Sequence, residues 1–438
     1  MKQLAGRLVR NPLVQNAAAL YGVQFVRKLL PLIIVPYLAR TLGPSGWGVM
    51  AFTQSMAEVF VLTIEFGFNL SATREIARKR DSMQVCGNLV AGVLGAQLLL
   101  SVVGTTAILV VSRFIPLLHA NPKLVIAALF YAIAQGFIPL WFFQGMERMR
   151  LAATLEICGR IVGLMSIFLF VRTSNDAWIA LFVQGVAPAL TTGAGLVMAY
   201  RVIPCQLPSW PLIREALRHG WPMFLFRSGE SLYGVQNSFI LGLFATPAQV
   251  GYFASAEKIS KAVFGLLNPI REALYPRLSN MAHHSQEDAA RLARVGVAVM
   301  VTGGLVLTGG LYLFAPLLIR LLMGAAFEPA VKVLRILSVL PILLSVTNSA
   351  GIQWLIPLGR DSAVNRIILQ AGALNVVLAV ILAPVFAHIG MAFAVLSAET
   401  FVCCSMVWVA VRSTSLLTRT KPDRSSREEA EATSEISL

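Results

Sequence analysis

Long apolar stretches recur along this chain from near its start to about residue 411, separated by short polar segments. A helix needs roughly 20 mostly apolar residues to cross the hydrocarbon layer, and in lipid every backbone N–H and C=O must be paired within its own segment. Such repetition excludes the soluble architectures. Charged residues make up only 13% of the sequence, where a soluble domain carries about 25%. The stretches predict an all-α polytopic membrane protein with about 12 transmembrane helices, at 14–39, 46–70, 86–111, 124–145, 152–171, 177–199, 219–244, 250–275, 295–322, 331–357, 367–386 and 390–411. The first is too long for a cleaved signal and is interrupted by Arg27–Lys28, so it reads as a span.

The basic residues orient these spans. Segments on the N-terminal side hold 22 of the 36 Lys and Arg, whereas the opposite side holds 4, namely Arg40, Arg113, Lys123 and Arg172. Cytoplasmic loops collect Lys and Arg, so both termini are expected in the cytoplasm. The same bias accounts for most of the net charge of +15 without nucleic acid as a partner. Trp47, Trp141, Trp178, Trp221, Trp354 and Trp408 fall near span ends, where indoles favour the interface, and Trp210 falls in a linker. The expected organisation is a cytoplasmic N-terminus (1–13), a six-helix lobe (14–199), a cytoplasmic linker (200–218), a second six-helix lobe (219–411) and a disordered cytoplasmic tail (412–438). No extramembrane segment is long enough to fold as a domain, so the work is done within the bilayer.

A weak internal repeat supports the two lobes. An offset of 203 pairs Leu38 with Leu241, Pro44 with Pro247, Gly48 with Gly251 and Ala51 with Ala254. Six spans per half give the halves the same orientation. That is the parallel-repeat transporter plan, with an axis along the membrane normal and the site between the halves.

Ionisable residues inside spans each cost about 2.5–3.5 kcal/mol at a helix centre on insertion scales, and are tolerated where they face water or one another. Span 1 carries Arg27 and Lys28, with Pro31 and Pro36 bending the helix beyond them. Span 2 carries Glu58 and Glu65 two turns apart; span 7 carries Arg227 and Glu230, close enough to pair; span 8 carries Lys258 and Lys261, with Glu257 expected to point elsewhere. Span 5 has Glu156 and Arg160 at i,i+4, and span 12 has Glu399. Each can be read as an ion pair that holds helices together. The functional reading is a water-filled cavity between spans 1, 2, 7 and 8. Arg27, Lys28, Arg227, Lys258 and Lys261 would bind an anionic cargo such as a pyrophosphate there, and Glu58, Glu65, Glu230 and Glu399 would pair with them or take up a coupling proton or sodium ion.

The remaining chemistry-bearing residues are unremarkable. Four of the five cysteines lie in spans and Cys205 in the linker, without metal-ligand spacing; His283–His284 lies in a polar loop. Gly159/Gly163, Gly303–Gly304 and Gly309–Gly310 suit close helix packing. No phosphate-binding loop, zinc-protease motif or nucleophile elbow is found, so no catalytic residue, metal or cofactor is assigned.

A family resemblance is carried by Asn16, by the run Leu30-Pro31-Leu32-Ile33-Ile34-Val35-Pro36-Tyr37-Leu38-Ala39-Arg40-Thr41-Leu42-Gly43, and by Gly46 and Gly48. It continues through Phe66-Gly67-Phe68, Ser71 to Ala77, Trp141 to Glu147, Gly251-Tyr252-Phe253 and Ala256-Glu257-Lys258. These segments resemble the oligosaccharide flippases of bacterial polysaccharide synthesis, the Wzx-type transporters of the multidrug/oligosaccharidyl-lipid/polysaccharide exporter superfamily. The motifs are specific in the first half and fair to about residue 280; beyond that only the hydropathy plan agrees. The resemblance implies two parallel six-helix lobes around a central cationic cavity in the bacterial inner membrane. It implies transfer of an undecaprenyl-pyrophosphate-linked oligosaccharide from the cytoplasmic to the periplasmic leaflet by alternating access, with H+ or Na+ as coupling ion. A polymerase and a chain-length regulator are the implied pathway partners. The family has no strict signature, so no site residue is carried over from it.

Other readings stay open on the residues. One is an exporter of a different lipid-linked precursor or of drugs, although cationic drugs favour acidic cavities. Another is a polysaccharide-synthesis enzyme such as a polymerase or acyltransferase, for which the outer loops are short. A third is a non-transporting scaffold, which gains nothing from buried charges.

Overall fold

The computed structural model describes residues 12–234, 236–270, 286–356 and 359–419, which are almost entirely helical. The His283–His284 loop and the tail beyond residue 419 lie outside them. In the N-terminal half the helices are α1 (Pro12–Glu65), α2 (Phe68–Lys79), α3 (Met83–Phe114), α4 (Pro116–His119), α5 (Pro122–Gly136), α6 (Leu140–Gly145), α7 (Met149–Phe170) and α8 (Ala177–Tyr200). The C-terminal half holds α9 (Trp210–Gly234), α10 (Asn237–Gly242), α11 (Pro247–Phe264), α12 (Gln286–Leu322), α13 (Ala330–Leu337), α14 (Leu340–Ala350) and α15 (Asp361–Arg419).

Eight helical stretches among the described residues are long and apolar enough to cross a membrane. Two of them, Ile33–Lys79 with 47 residues and Asp361–Arg412 with 52, exceed one crossing. Both belong to helices that fold back. In α1 the break is Gly43, with φ at 66° in the region glycine enters without steric cost. Leu30 and Glu65 line one cavity, although a straight helix would hold them about 52 Å apart at 1.5 Å per residue. In α15 the break is Ala387, with φ at 49°. Beyond it Gly390 returns against the carbonyl of Leu382. Helices α9 and α11 carry more charged residues: Arg214, Glu215, Arg218, Arg227 and Glu230 on α9, and Glu257, Lys258 and Lys261 on α11.

The expected spans differ from the helices in instructive ways. Span 4 is two helices, α5 and α6, parted just before and at Pro139. Span 7 begins earlier than expected: α9 starts at Trp210, so half of the supposed linker is helix. The basic run after span 2 is its own helix, α2, set off by Phe66 and Gly67 with φ at 41° and 75°. Its Phe68, Ala72 and Ile76 are buried at four-residue spacing, while Arg78 and Lys79 pair with Glu75 on the other face.

One core unites the halves. Leu38, Trp47 and Phe52 from α1 pack in the same buried cluster as Leu241 from α10 and Val250 and Phe253 from α11. Outward, α3 presents Leu98, Val102, Leu109 and Val110, an apolar face of the kind lipid covers. Two tryptophans expected at the interface are instead core residues: Trp47 and Trp141 are 0% and 1% exposed. Their indoles fill space between helices, and it is Trp210, Trp221 and Trp408 that are exposed. Among the glycine pairs, Gly159 packs on Ala187 and Thr191 and Gly304 on Pro341 and Ser345, but Gly309 and Gly310 face open space.

Candidate functional site

The repeat residues meet each other. A Cβ added to Gly48 would land on the carbonyl of Pro247, and one added to Gly251 would land on that of Pro44. The contact is reciprocal and sits at the fold-back end of α1. Nearby, the Arg40 guanidinium donates to the carbonyl of Leu321. At this end the two halves therefore touch backbone to backbone.

Further along α1 they part around a cavity of about 560 Å³. Its walls come from α1, α2, α5, α6, α7 and α8, and from the C-terminal half it receives Arg227 of α9 and Lys258 of α11. The Lys258 ammonium lies over the Trp47 ring, 4.5 Å from its centre. Among the described residues it has no carboxylate within ion-pair distance. A ring face holds an ammonium by its quadrupole while leaving the charge available.

The pairing of Arg227 with Glu230 expected from the sequence falls on a side chain outside the described residues. The Arg227 guanidinium reaches across the seam to Glu65 at 3.6 Å, and both residues line the cavity. The pairing sets a cation of one half against a carboxylate of the other. Glu58 accepts a 2.5 Å hydrogen bond from the hydroxyl of Tyr131, another wall residue. Glu156 and Arg160 pair at 2.9 Å on the α7 face of the same cavity.

Lys258 and Lys261 do not act together as sequence spacing suggested. Lys261 turns back one helical turn to Glu257 at 2.9 Å and donates to the carbonyl of Gly234 at 2.7 Å. Glu257 was expected to point elsewhere; it accepts this bond because i,i+4 positions share a helix face. The same Glu257 oxygen accepts from the Asn237 amide at 2.8 Å, and the Asn375 amide donates to Asn237 at 2.9 Å. This buried network ties α10, α11 and α15 together and is not part of the cavity wall. Glu399 lies on the second arm of α15, 8% exposed and likewise off the wall. The side chains of Arg27, Lys28 and Glu230 lie outside the described residues.

Sequence reasoning missed the polar, uncharged part of the wall. Its signal was helix periodicity: Tyr131 and Gln135 on α5, and Gln184, Pro188 and Thr191 on α8, each follow one face. Amides carry no formal charge, so a search for charges inside spans passes over them.

The family model described as "Polysaccharide biosynthesis protein" matches residues 13–282. A relative from Escherichia coli (strain K12), named "Putative O-antigen transporter", is 31% identical over 92% of this chain and 97% of its own length. Two solved structures share the fold. An inward-facing multidrug resistance MATE transporter of the MOP superfamily superimposes with a TM-score of 0.70 at 18% identity, over 91% of this chain and 96% of its own. The lipid II flippase MurJ, in an inward closed conformation, gives 0.68 at 13% identity, over 90% and 87%.

Proposed function

Because the chain belongs to the polysaccharide biosynthesis protein family, we propose that it is a membrane transporter, not an enzyme, that flips a lipid-linked oligosaccharide for surface polysaccharide assembly. In the fuller form of this reading the carrier is undecaprenyl pyrophosphate. The cargo passes from the cytoplasmic to the periplasmic leaflet of a bacterial inner membrane, by alternating access and coupled to H+ or Na+.

One observation carries the reading: the C-terminal half contributes two cations, Arg227 and Lys258, to a cavity otherwise walled by the N-terminal half. A guanidinium presents paired donors that match phosphate oxygens, and an ammonium adds a compact point charge. The cavity carboxylates Glu65 and Glu156 do not repel an anion as bare charges would, because each is held by an arginine. Glu58 remains the carboxylate placed to exchange a proton, since its partner is a hydroxyl. The network of Lys261 and Glu257 braces the C-terminal half.

The test uses a strain that depends on this chain for its surface polymer. Arg227→Ala and Lys258→Ala are each expected to abolish the polymer at unchanged protein level, with lipid-linked repeat units accumulating. Normal polymer in both variants would sink the proposal.

A further inference from the structure

We infer that the cavity reads the sugar as well as the lipid pyrophosphate, through an amide wall made by Gln54, Gln135, Gln144 and Gln184. This rests on the flippase reading above and goes beyond it by assigning a glycan site to residues of the N-terminal half alone.

All four glutamines line the cavity, from α1, α5, α6 and α8 respectively. Helix bracing is the obvious alternative role, and Gln97 shows what that looks like here. It is fully buried away from the cavity and donates at 2.8 Å to the carbonyl of Gly136. Of the wall glutamines, one pair shares that role and the other does not. Gln54 donates to Gln184 at 3.3 Å, and Gln184 donates in turn to the Ala180 carbonyl at 3.1 Å, so this pair partly braces the helices. The side chains of Gln135 and Gln144 make no hydrogen bond to another described residue. An amide has two donors and a two-lone-pair acceptor, and leaving them unmatched beside an apolar surface costs free energy. Facing a hydrated cavity that periodically holds a sugar, they are matched by water or by hydroxyls.

The chemistry fits a sugar better than the other cargo parts. Hydroxyls donate and accept at once, as amides do, whereas a pyrophosphate accepts only and a prenyl chain does neither. Tyr131 and Phe143 line the same space. The cavity volume of about 560 Å³ lies within the ~300–1,000 Å³ of sites that enclose a small ligand. Both cations of the C-terminal half stand at the seam, and all four glutamines stand on N-terminal helices, which also carry the Glu156–Arg160 pair. The geometry therefore orients the cargo, pyrophosphate to the seam and glycan to the N-terminal half.

The full-length chain in nanodiscs would be titrated with two probes: undecaprenyl pyrophosphate, and the same lipid carrying one repeat unit extracted from the source strain. Wild type is expected to bind the glycosylated probe at least about tenfold more tightly, as one or two net hydrogen bonds supply. The double variant Gln135→Ala, Gln144→Ala breaks no bond to a described residue. It is expected to lose about tenfold on the glycosylated probe and less than twofold on the bare lipid. If the double variant melts early, Gln135→Asn carries the same test. Equal wild-type affinity for the two probes, no loss in the variant, or equal loss on both overturns this inference and leaves the transport reading standing. Wild type binding neither probe overturns both.

Discussion

Gly48 lies against the carbonyl of Pro247, and Gly251, its counterpart at an offset of 203, lies against the carbonyl of Pro44. Four residues of a faint internal repeat are thus the residues at which the two halves cross. Reciprocal contact is what a two-fold relation between like surfaces produces. The missing Cβ atoms let the backbones approach as side chains would not.

Substituting either glycine should loosen this crossing. Gly48→Ala or Gly251→Ala places a methyl on a backbone carbonyl, and overpacking of that kind costs about 1–3 kcal/mol. Thermal unfolding in detergent should show the loss. Gly309→Ala is the control, because nothing lies within 4 Å of its Cβ position; there stability should rise by up to about 1 kcal/mol. A Gly48→Ala protein as stable as wild type contradicts the crossing.

The Arg227–Glu65 pair spans the seam, so exchanging its charges separates bracing from cargo contact. Arg227→Glu alone should reduce transport at least about tenfold, equivalent to about 1.4 kcal/mol. The double exchange Arg227→Glu, Glu65→Arg should restore protein level but not surface polysaccharide. Full recovery of polymer by the exchange would make the pair a brace only.

Lys261 is expected to matter for stability. Lys261→Met leaves the Glu257 carboxylate buried with Asn237 as its remaining donor. Breaking a fully buried pair costs about 3–5 kcal/mol; with Lys261 48% exposed, about 1–3 kcal/mol is expected. Adding Glu257→Gln should recover most of it. The melting temperatures of single and double variants decide the matter, and equal values argue against the network.

Topology is checked by labelling. A Ser45→Cys protein should react with an impermeant thiol reagent from the periplasm, and an Arg78→Cys protein should not. Reversed labelling overturns the orientation drawn from the basic residues.

The helical class and most span positions were legible because lipid imposes one rule on every segment, and apolar length records it. The fold-back at Gly43 lay within a short turn-rich segment and was also readable. Partners were not. Arg227 meets Glu65 of the other half, a contact set by how the halves dock and recorded in no spacing along the chain. Trp47 sits where a span-end indole belongs, but its depth depends on α11 crossing over it. The glutamine wall was hidden for another reason: a neutral side chain in a span costs too little to stand out from its neighbours.

The Gly48–Gly251 crossing also bears on how easily the molecule changes shape. A seal made of leucines would strip apolar surface into water each time it parted, at about 25 cal/mol per Å². Glycine and carbonyl surfaces at the crossing uncover little of that kind, and a freed carbonyl is readily hydrated. Parting the halves here would, however, uncover Trp47, Phe52, Val250 and Phe253 beside the crossing, so it is those side chains, not the glycines, that would resist opening.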